Sequence, residues 1–169
     1  GKVTALINNL RKLFGAHELE FKDFYIKEAC DEVLEFIEPT LKSKNISLTK
    51  SYEGNLVTFG SAIQIQQVLI NIFNNATDAI ENAKTESREI DLRIYQNQAT
   101  AVIAIKDTGT GIAPDIASMI FELYQSTKAD GLGIGLWLCK AIIDKHEGKI
   151  AVLNNPLGGT IFEIHLPLA

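Results

Sequence analysis

The sequence predicts an α+β domain of two layers, with helices on one face of a mostly antiparallel sheet. Three observations carry this. Along the 169 residues the order is helix, strand, long helix, hairpin, loop, helix, hairpin, which suits segregated layers and not repeated βαβ units. Two pairs of strand-like runs are joined by tight turns, so hairpins dominate the sheet. Apolar residues make up 46% of the chain, enough for one domain with a full core.

The elements follow in order. Residues 3–14 place Val3, Leu6, Ile7, Leu10, Leu13 and Phe14 on one helical stripe close to a heptad, and Gly15 ends it. So short a helix is a poor core element by itself, and the expectation is the end of a longer helix. The run FKDFYI (residues 21–26) reads as extended. KEACDEVLEFIEPTLKSKN returns to helical period, with Ala29, Cys30, Val33, Phe36, Ile37 and Leu41 facing inward and Pro39 as a cost or a kink. ISLTKSY alternates as a strand. Residues 61–83 carry the strongest helical signal: Ser61 can cap the start, and Ile65, Val68, Leu69, Ile72, Phe73, Ala76 and Ile80 form a buried face. EIDLRIYQ and ATAVIAIKD are two strands of a hairpin. IASMIFELY is a short helical piece. GLGIGLWLCKAIIDKHE is a glycine loop leading into a helix with Leu136, Cys139, Ile142 and Ile143 inward. KIAVLNN and TIFEIHLPL close the chain as strands joined through Pro156, Gly158 and Gly159.

Composition excludes several functions. No run reaches 18 apolar residues, so no membrane-spanning helix is expected, and no signal-peptide pattern opens the sequence. The net charge is -5 with no basic tract, which argues against nucleic acid as a partner. Cys30 and Cys139 are far apart and lie in apolar helical patterns, as buried reduced thiols would. No metal-ligand spacing of cysteines and histidines appears.

Chemistry gathers at three places. Asn71, Asn74, Asn75 and Asp78 interrupt the apolar helix. Asn71, Asn75 and Asp78 fall at i, i+4 and i+7 and share a face, and Gln67 extends the row by one turn. Such a row borders either water or a cleft. In a cleft, Asn side-chain oxygens are neutral hard ligands suited to Mg²⁺ that also carries phosphate oxygens. DTGTG then follows a strand directly, with Asp107 at the strand's mouth and Gly109 and Gly111 allowing close backbone approach or positive φ. GLGIG precedes a helix whose N-terminal amides can cradle phosphate. It is neither a dinucleotide fingerprint, since no strand leads into it, nor a Walker loop, since the Gly-Lys-Ser/Thr ending is missing.

Taken together, these runs resemble the catalytic, ATP-binding domain of two-component sensor histidine kinases, in the superfamily shared with gyrase B, Hsp90 and MutL. QVLINIFNNATDA (residues 67–79) resembles the asparagine box and DTGTGI (107–112) the first glycine box. IFELYQSTK (120–128) resembles the phenylalanine box and GLGIGL (131–136) the second glycine box. GGTIFEIHLP (158–167) resembles the closing strand. The resemblance covers roughly residues 20 to 168. It implies a Bergerat-type ATP-binding fold: a mixed, mostly antiparallel five-stranded sheet covered on one face by about three helices.

By position it also implies roles. Asn75 resembles the Asn that holds Mg²⁺ on the ATP phosphates, and Asn71 the first Asn of the box, close to the phosphates. Asp107 resembles the acceptor of the adenine amino group, with Gly109, Gly111 and Ile112 around it and Thr160 behind the adenine. Gly131, Leu132, Gly133, Ile134, Gly135 and Leu136 resemble the run that follows the phosphates, with Gly133 and Gly135 as hinges. Phe121 resembles a packing residue of the lid and Lys128 a lid residue that can approach the γ-phosphate, so Asn71 and Lys128 are the catalytic candidates. The sequence departs from many relatives at Asp78, where they carry Lys or Arg. That version resembles nitrogen-sensor-like and sporulation-like kinases. The lid segment, Ala129 and Asp130 between Lys128 and Gly131, is short, and LYQSTK departs from the usual PFFTTK.

The related ATPases activate water with a Glu one turn before the metal Asn. Asn71 stands there, and an Asn cannot act as a general base. Phosphoryl transfer to a histidine depends mainly on positioning, and is the expectation ahead of a switch ATPase of the gyrase B/Hsp90/MutL type. A degenerate domain that binds nothing is disfavoured by the intact Asn75, Asp107 and glycines. None of the three histidines fits the acceptor. HELE at His17 lacks the Pro the motif usually carries, and too few residues separate it from Asn71 for a two-helix hairpin. His146 and His165 lie beyond the pocket motifs and read as structural or exposed. The expectation is therefore residues 1–15 as the end of a dimerisation helix with linker, and residues 16–169 as the ATP-binding domain. The partners implied are a separate dimerisation and histidine-phosphotransfer domain of the same parent, expected to be a homodimer, and a response-regulator receiver domain. The resemblance implies a cytoplasmic domain and leaves the parent's anchorage in the inner membrane open.

Overall fold

The computed structural model describes residues 20–84, 86–117, 119–121 and 132–169. Residues 3–14, read as a helix, and His17 lie outside them. The described elements are β1 (Lys22–Tyr25), α1 (Ile26–Ser43), β2 (Ser47–Tyr52), β3 (Val57–Gly60), α2 (Ala62–Ala83), β4 (Glu89–Asn97), β5 (Thr100–Asp107), α3 (Pro114–Ala117), α4 (Leu132–Lys145), β6 (Lys149–Asn154) and β7 (Thr160–Pro167).

Five strands form one sheet in the order β2-β4-β5-β7-β6. β2 runs parallel to β4, and the other neighbours are antiparallel. The helices cover one face, as the sequence predicts. Two rows of inward side chains show how. Leu92 pairs with Ile105 and Ile105 with Phe162; Ile94 pairs with Ile103 and Ile103 with Ile164. All six are buried and pack against Ile65, Leu69, Ile72 and Phe73 of α2. Each such side chain removed from water contributes about 1.5–3 kcal/mol. The alternation has a consequence at the end of β5. Ile103 and Ile105 face the helices, so Asp107 faces them too, opposite Ile90. A carboxylate thus ends the central strand on its inner side.

α2 starts at Ser61, whose side chain accepts the Gln64 N–H at 3.2 Å, as a capping serine should. Every residue predicted for its buried face is buried. α1 runs through Pro39 to Ser43.

Four expectations need correction. Phe36 is 42% exposed, and Leu34 takes the inward place one turn earlier on the stripe with Cys30, Ile37 and Leu41. The four-residue β3 was not anticipated, because so short a run gives no clear alternation. It pairs with β1 in a separate two-stranded ribbon, held to the main sheet where Thr58 Oγ1 donates to the Pro167 carbonyl at 2.7 Å. The helix read at residues 116–124 spans only Pro114–Ala117 among the described residues, starting on a proline, which is pre-set for a first helical position. The second glycine run is helix and not loop: Gly133 and Gly135 lie in the opening turns of α4.

Candidate functional site

The site is bounded by one face of α2. Asn71, Asn75 and Ala79 stand at i, i+4 and i+8, one above another. At one end of this stripe, Asn71 is 4% exposed and faces α4. A Cβ on Gly135 would lie 3.4 Å from the Asn71 Cγ and Oδ1, and the Asn71 Nδ2 donates to the Cys139 sulfur at 3.6 Å. At the other end, Ala79 meets the first glycine run. A Cβ on Gly109 would lie 2.5 Å from the Ala79 Cβ and 2.6 Å from its carbonyl carbon, so only glycine lets that loop come so close. Asn75 sits between these two approaches. Its Oδ1 is buried and has no hydrogen-bond partner. Asp78 and Asn74 are half-buried, and Gln67 is buried one turn earlier.

Asp107 forms the opposite wall. It is 1% exposed, and its Oδ1 accepts the Gly109 N–H at 2.8 Å. Burial pushes its carboxyl above the ordinary range, opposed by backbone hydrogen bonds from Gly109 and Thr160. Thr160 itself is 2% exposed. Gly159 passes directly under Asp107: its φ is 93°, and a Cβ there would collide with the Asp107 carbonyl. Gly111 also has positive φ, at 76°. The Ile112 N–H donates to Asn154 Oδ1 at 3.1 Å. Phe121 packs edge-on against Phe162, with ring centroids 6.3 Å apart.

The structure thus sets Asn71 and Asn75 on one face of α2, with Gly135 against Asn71, Gly109 against Ala79, and Asp107 bonded to Gly109 and Thr160. Leu136 is buried in the core and seats α4. Lys128 and Gly131 lie outside the described residues, as do the side chains of Leu132 and Ile134. Gly159 and Asn154 were missed as site residues. The double glycine before Thr160 is a signal for the first, though turn and closing strand account for it in the sequence alone.

Both cysteines are buried free thiols, and burial pushes Cys139 up to about 12 and Cys30 higher still. No group of metal-ligating side chains occurs among the described residues, and no described helix is long and apolar enough to cross a membrane. His146 is buried and structural. His165 is partly exposed, with Nε2 3.2 Å from Glu163 Oε1.

Two asparagines on one helix edge thus stand beside two glycine runs, with a buried aspartate ending the central strand. The family model described as histidine kinase-, DNA gyrase B- and HSP90-like ATPase matches residues 60–169, and the chain belongs to that family. The catalytic domain of histidine kinase ThkA superposes with a TM-score of 0.78 at 28% identity, covering 88% of this chain and 95% of that one. The sensory histidine kinase/phosphatase NtrB of Proteus hauseri is 35% identical over 133 residues, 74% of this chain and 38% of its own length. Sporulation kinase A of Bacillus subtilis is 28% identical over 168 residues, 98% of this chain and 27% of its own length. The chain spans well under half the length of NtrB and sporulation kinase A, and only 22% of the C4-dicarboxylate transport sensor protein DctS of Rhodobacter capsulatus. Within the family, the fold is that of a histidine kinase catalytic domain.

Proposed function

We propose that this chain binds Mg-ATP in the cleft and directs the γ-phosphoryl group to a histidine on a separate dimerisation domain of its parent, for relay to an aspartate of a response regulator. The observation that carries the reading is the orphaned Asn75 Oδ1. A buried acceptor without a donor is costly unless something fills its lone pairs. It is a hard neutral oxygen between two close glycine approaches, and so it fits Mg²⁺. Asn75 would hold the ion, which would supply neutralisation of the phosphate charge. Asn71, held by Cys139, faces the phosphate side. The α4 N-terminus adds backbone N–H groups there and Asp78 lies on the same face of α2, while the resemblance alone assigns Gly131, Leu132, Gly133, Ile134 and Lys128 to the phosphates. Asp107 accepts from the adenine amino group, with Gly109, Gly111, Ile112 and Thr160 shaping the base pocket.

Asn71 also separates transfer from hydrolysis. It offers no proton acceptor of useful basicity where a water-activating carboxylate would be needed, so positioning a nucleophile delivered by a partner is the favoured chemistry. In this reading residues 1–15 end a dimerisation helix, the parent is a homodimer, and this domain is cytoplasmic whether or not the parent is anchored in the inner membrane.

The test is transfer of labelled γ-phosphate from ATP to the purified dimerisation domain, with Mg²⁺ and with chelator. Mg²⁺-dependent label that is acid-labile and base-stable is the expected result. ATP binding without transfer would sink the kinase reading, and rapid phosphate release by the domain alone would replace it with the ATPase one.

A further inference from the structure

Asn154 ends β6 on the edge of the sheet, outside all the nucleotide motifs. Its Oδ1 accepts the Ile112 N–H at 3.1 Å from 42 residues away. A Cβ on Gly111 would stand 3.4 Å from the same oxygen and 3.4 Å from the Gly159 carbonyl oxygen. One side chain therefore bonds the loop at Ile112 and abuts it at Gly111.

Among the described residues, the loop's other hydrogen bonds to the sheet lie at its beginning, and the Thr110 hydroxyl donates to the adjoining Gly111 carbonyl at 3.4 Å. Gly109 is bonded to Asp107, while the Thr108 hydroxyl donates to the Ser87 carbonyl at 2.8 Å and accepts from the Glu89 N–H at 3.0 Å. Among the described residues, Asn154 supplies the hydrogen bond that ties the second half of the loop to the sheet. The turn after it is bonded within itself: Asn155 N–H to the Gly159 carbonyl at 3.0 Å, and Gly158 N–H to the Asn155 carbonyl at 2.9 Å. Asn154 is thus a post on a braced hairpin, and the loop leans on it.

We propose that Asn154 is a positioning residue that sets the loop from Gly109 to Ile112 at the height the adenine ring requires. This rests on the reading of the cleft as a nucleotide site. Asn154 acts on the base side, away from Asn75 and α4, so its effect falls on affinity and not on transfer, and is equal for nucleotides with two or three phosphates.

The experiment is titration calorimetry of the whole chain with ADP and with a non-hydrolysable ATP analogue. Asn154→Ala should raise both Kd values about fivefold, the range of one hydrogen bond. Asn154→Asp, which keeps an acceptor at the same place, should stay within about twofold of the parent chain on the same grounds. Neither should lower Tm appreciably, and exchange of the Ile112 amide should quicken only in the Ala variant. In the transfer assay KM should rise with kcat unchanged. Unchanged affinity in Asn154→Ala, equal loss in Asn154→Asp, or a loss confined to the ATP analogue would overturn the inference while the nucleotide reading stood. Failure of the parent chain to bind either nucleotide would overturn both.

Discussion

The two ends of α2 lie in one helix and treat their polar groups differently. At the first end, Ser61 caps the helix, and its own N–H donates to His146 Nε2 at 3.0 Å. That places the ring proton on Nδ1, which donates to the Ile142 carbonyl at 2.7 Å. Phe21 stacks on the ring, centroids 4.6 Å apart, and Gln66 Nε2 donates to the Ala29 carbonyl and to Glu32. At the other end, Asn71 is tethered through its Nδ2, and Asn75 keeps an open oxygen. An open oxygen alone does not mark function: Gln64 Oε1 near the first end is also unpartnered, and nothing in the structure explains it. What distinguishes Asn75 is its setting, between the Gly109 approach, which only glycine permits, and the packing of Gly135 on Asn71. Ser61, His146 and Gln66 are closed on the fold, whereas Asn75 keeps its oxygen open beside backbone brought close.

Asn75→Ala should break this contrast most sharply. Transfer should fall on the order of 100-fold or more, since catalysis here is positioning and charge stabilisation. Thermal stability should hold or rise, because a buried unpaired acceptor is removed. A lowered Tm together with unimpaired transfer would make Asn75 structural and erase the distinction. Gly159→Ala should come next. The new Cβ meets the Asp107 carbonyl at a positive φ, and urea unfolding should show a loss of about 2–4 kcal/mol.

Asp107→Asn separates the two roles within one residue. Nucleotide affinity should fall about tenfold or more with the loss of a charged acceptor. Tm should rise, since a carboxylate is no longer held ionised in a buried place. The pH dependence has a defined sign. Burial raises the folded pKa of Asp107 above the ordinary carboxylate value, so its contribution to stability is fully present below that ordinary value and is lost as pH rises through the folded pKa. Affinity for adenine should run the other way, weakening as pH falls into the raised range. Denaturation and calorimetry from acid to neutral pH check both trends, and parallel trends would refute the assignment.

Periodicity made much of this legible. The i, i+4 spacing put Asn71 and Asn75 on one face, and the capping serine and the buried face of α2 follow from local pattern. Asp107 was legible as the residue ending a strand at a glycine run, and the alternation through Ile103 and Ile105 accounts for its inward direction. What stayed hidden depends on contacts between distant residues. Asn154 reaches Ile112 across 42 positions and His146 reaches Ser61 across 85, and neither carries a local signal. Phe36 and Leu34 lie on opposite edges of the same helical stripe, and only packing against the neighbouring layer decides between them. The glycines of the second run read as loop because glycine disfavours helix interiors, yet Gly133 and Gly135 stand in the opening turns of α4, with Gly135 packed on Asn71.

The smallest expected effect tests the closed end. Burial, and then neighbouring Lys145, hold His146 below the ordinary imidazole range, against the opposing hydrogen bond to Ile142. The unfolded chain therefore takes up a proton before the folded one does. The stability this neutral ring contributes is present above about 6.5 and is lost as pH falls through the folded pKa. The local reason is geometric: a proton on Nε2 would face the Ser61 N–H with a second donor. Acid should loosen the first turn of α2 before the rest, with the Ser61 and Gln64 amides exchanging early. His146→Gln does not titrate and can still offer an oxygen to Ser61, so its stability should be flat across the interval where the parent chain declines. Equal slopes in the two proteins would mean that this ring does not set the acid response, and that the closed end of α2 is held by packing against Phe21 and not by its hydrogen bonds.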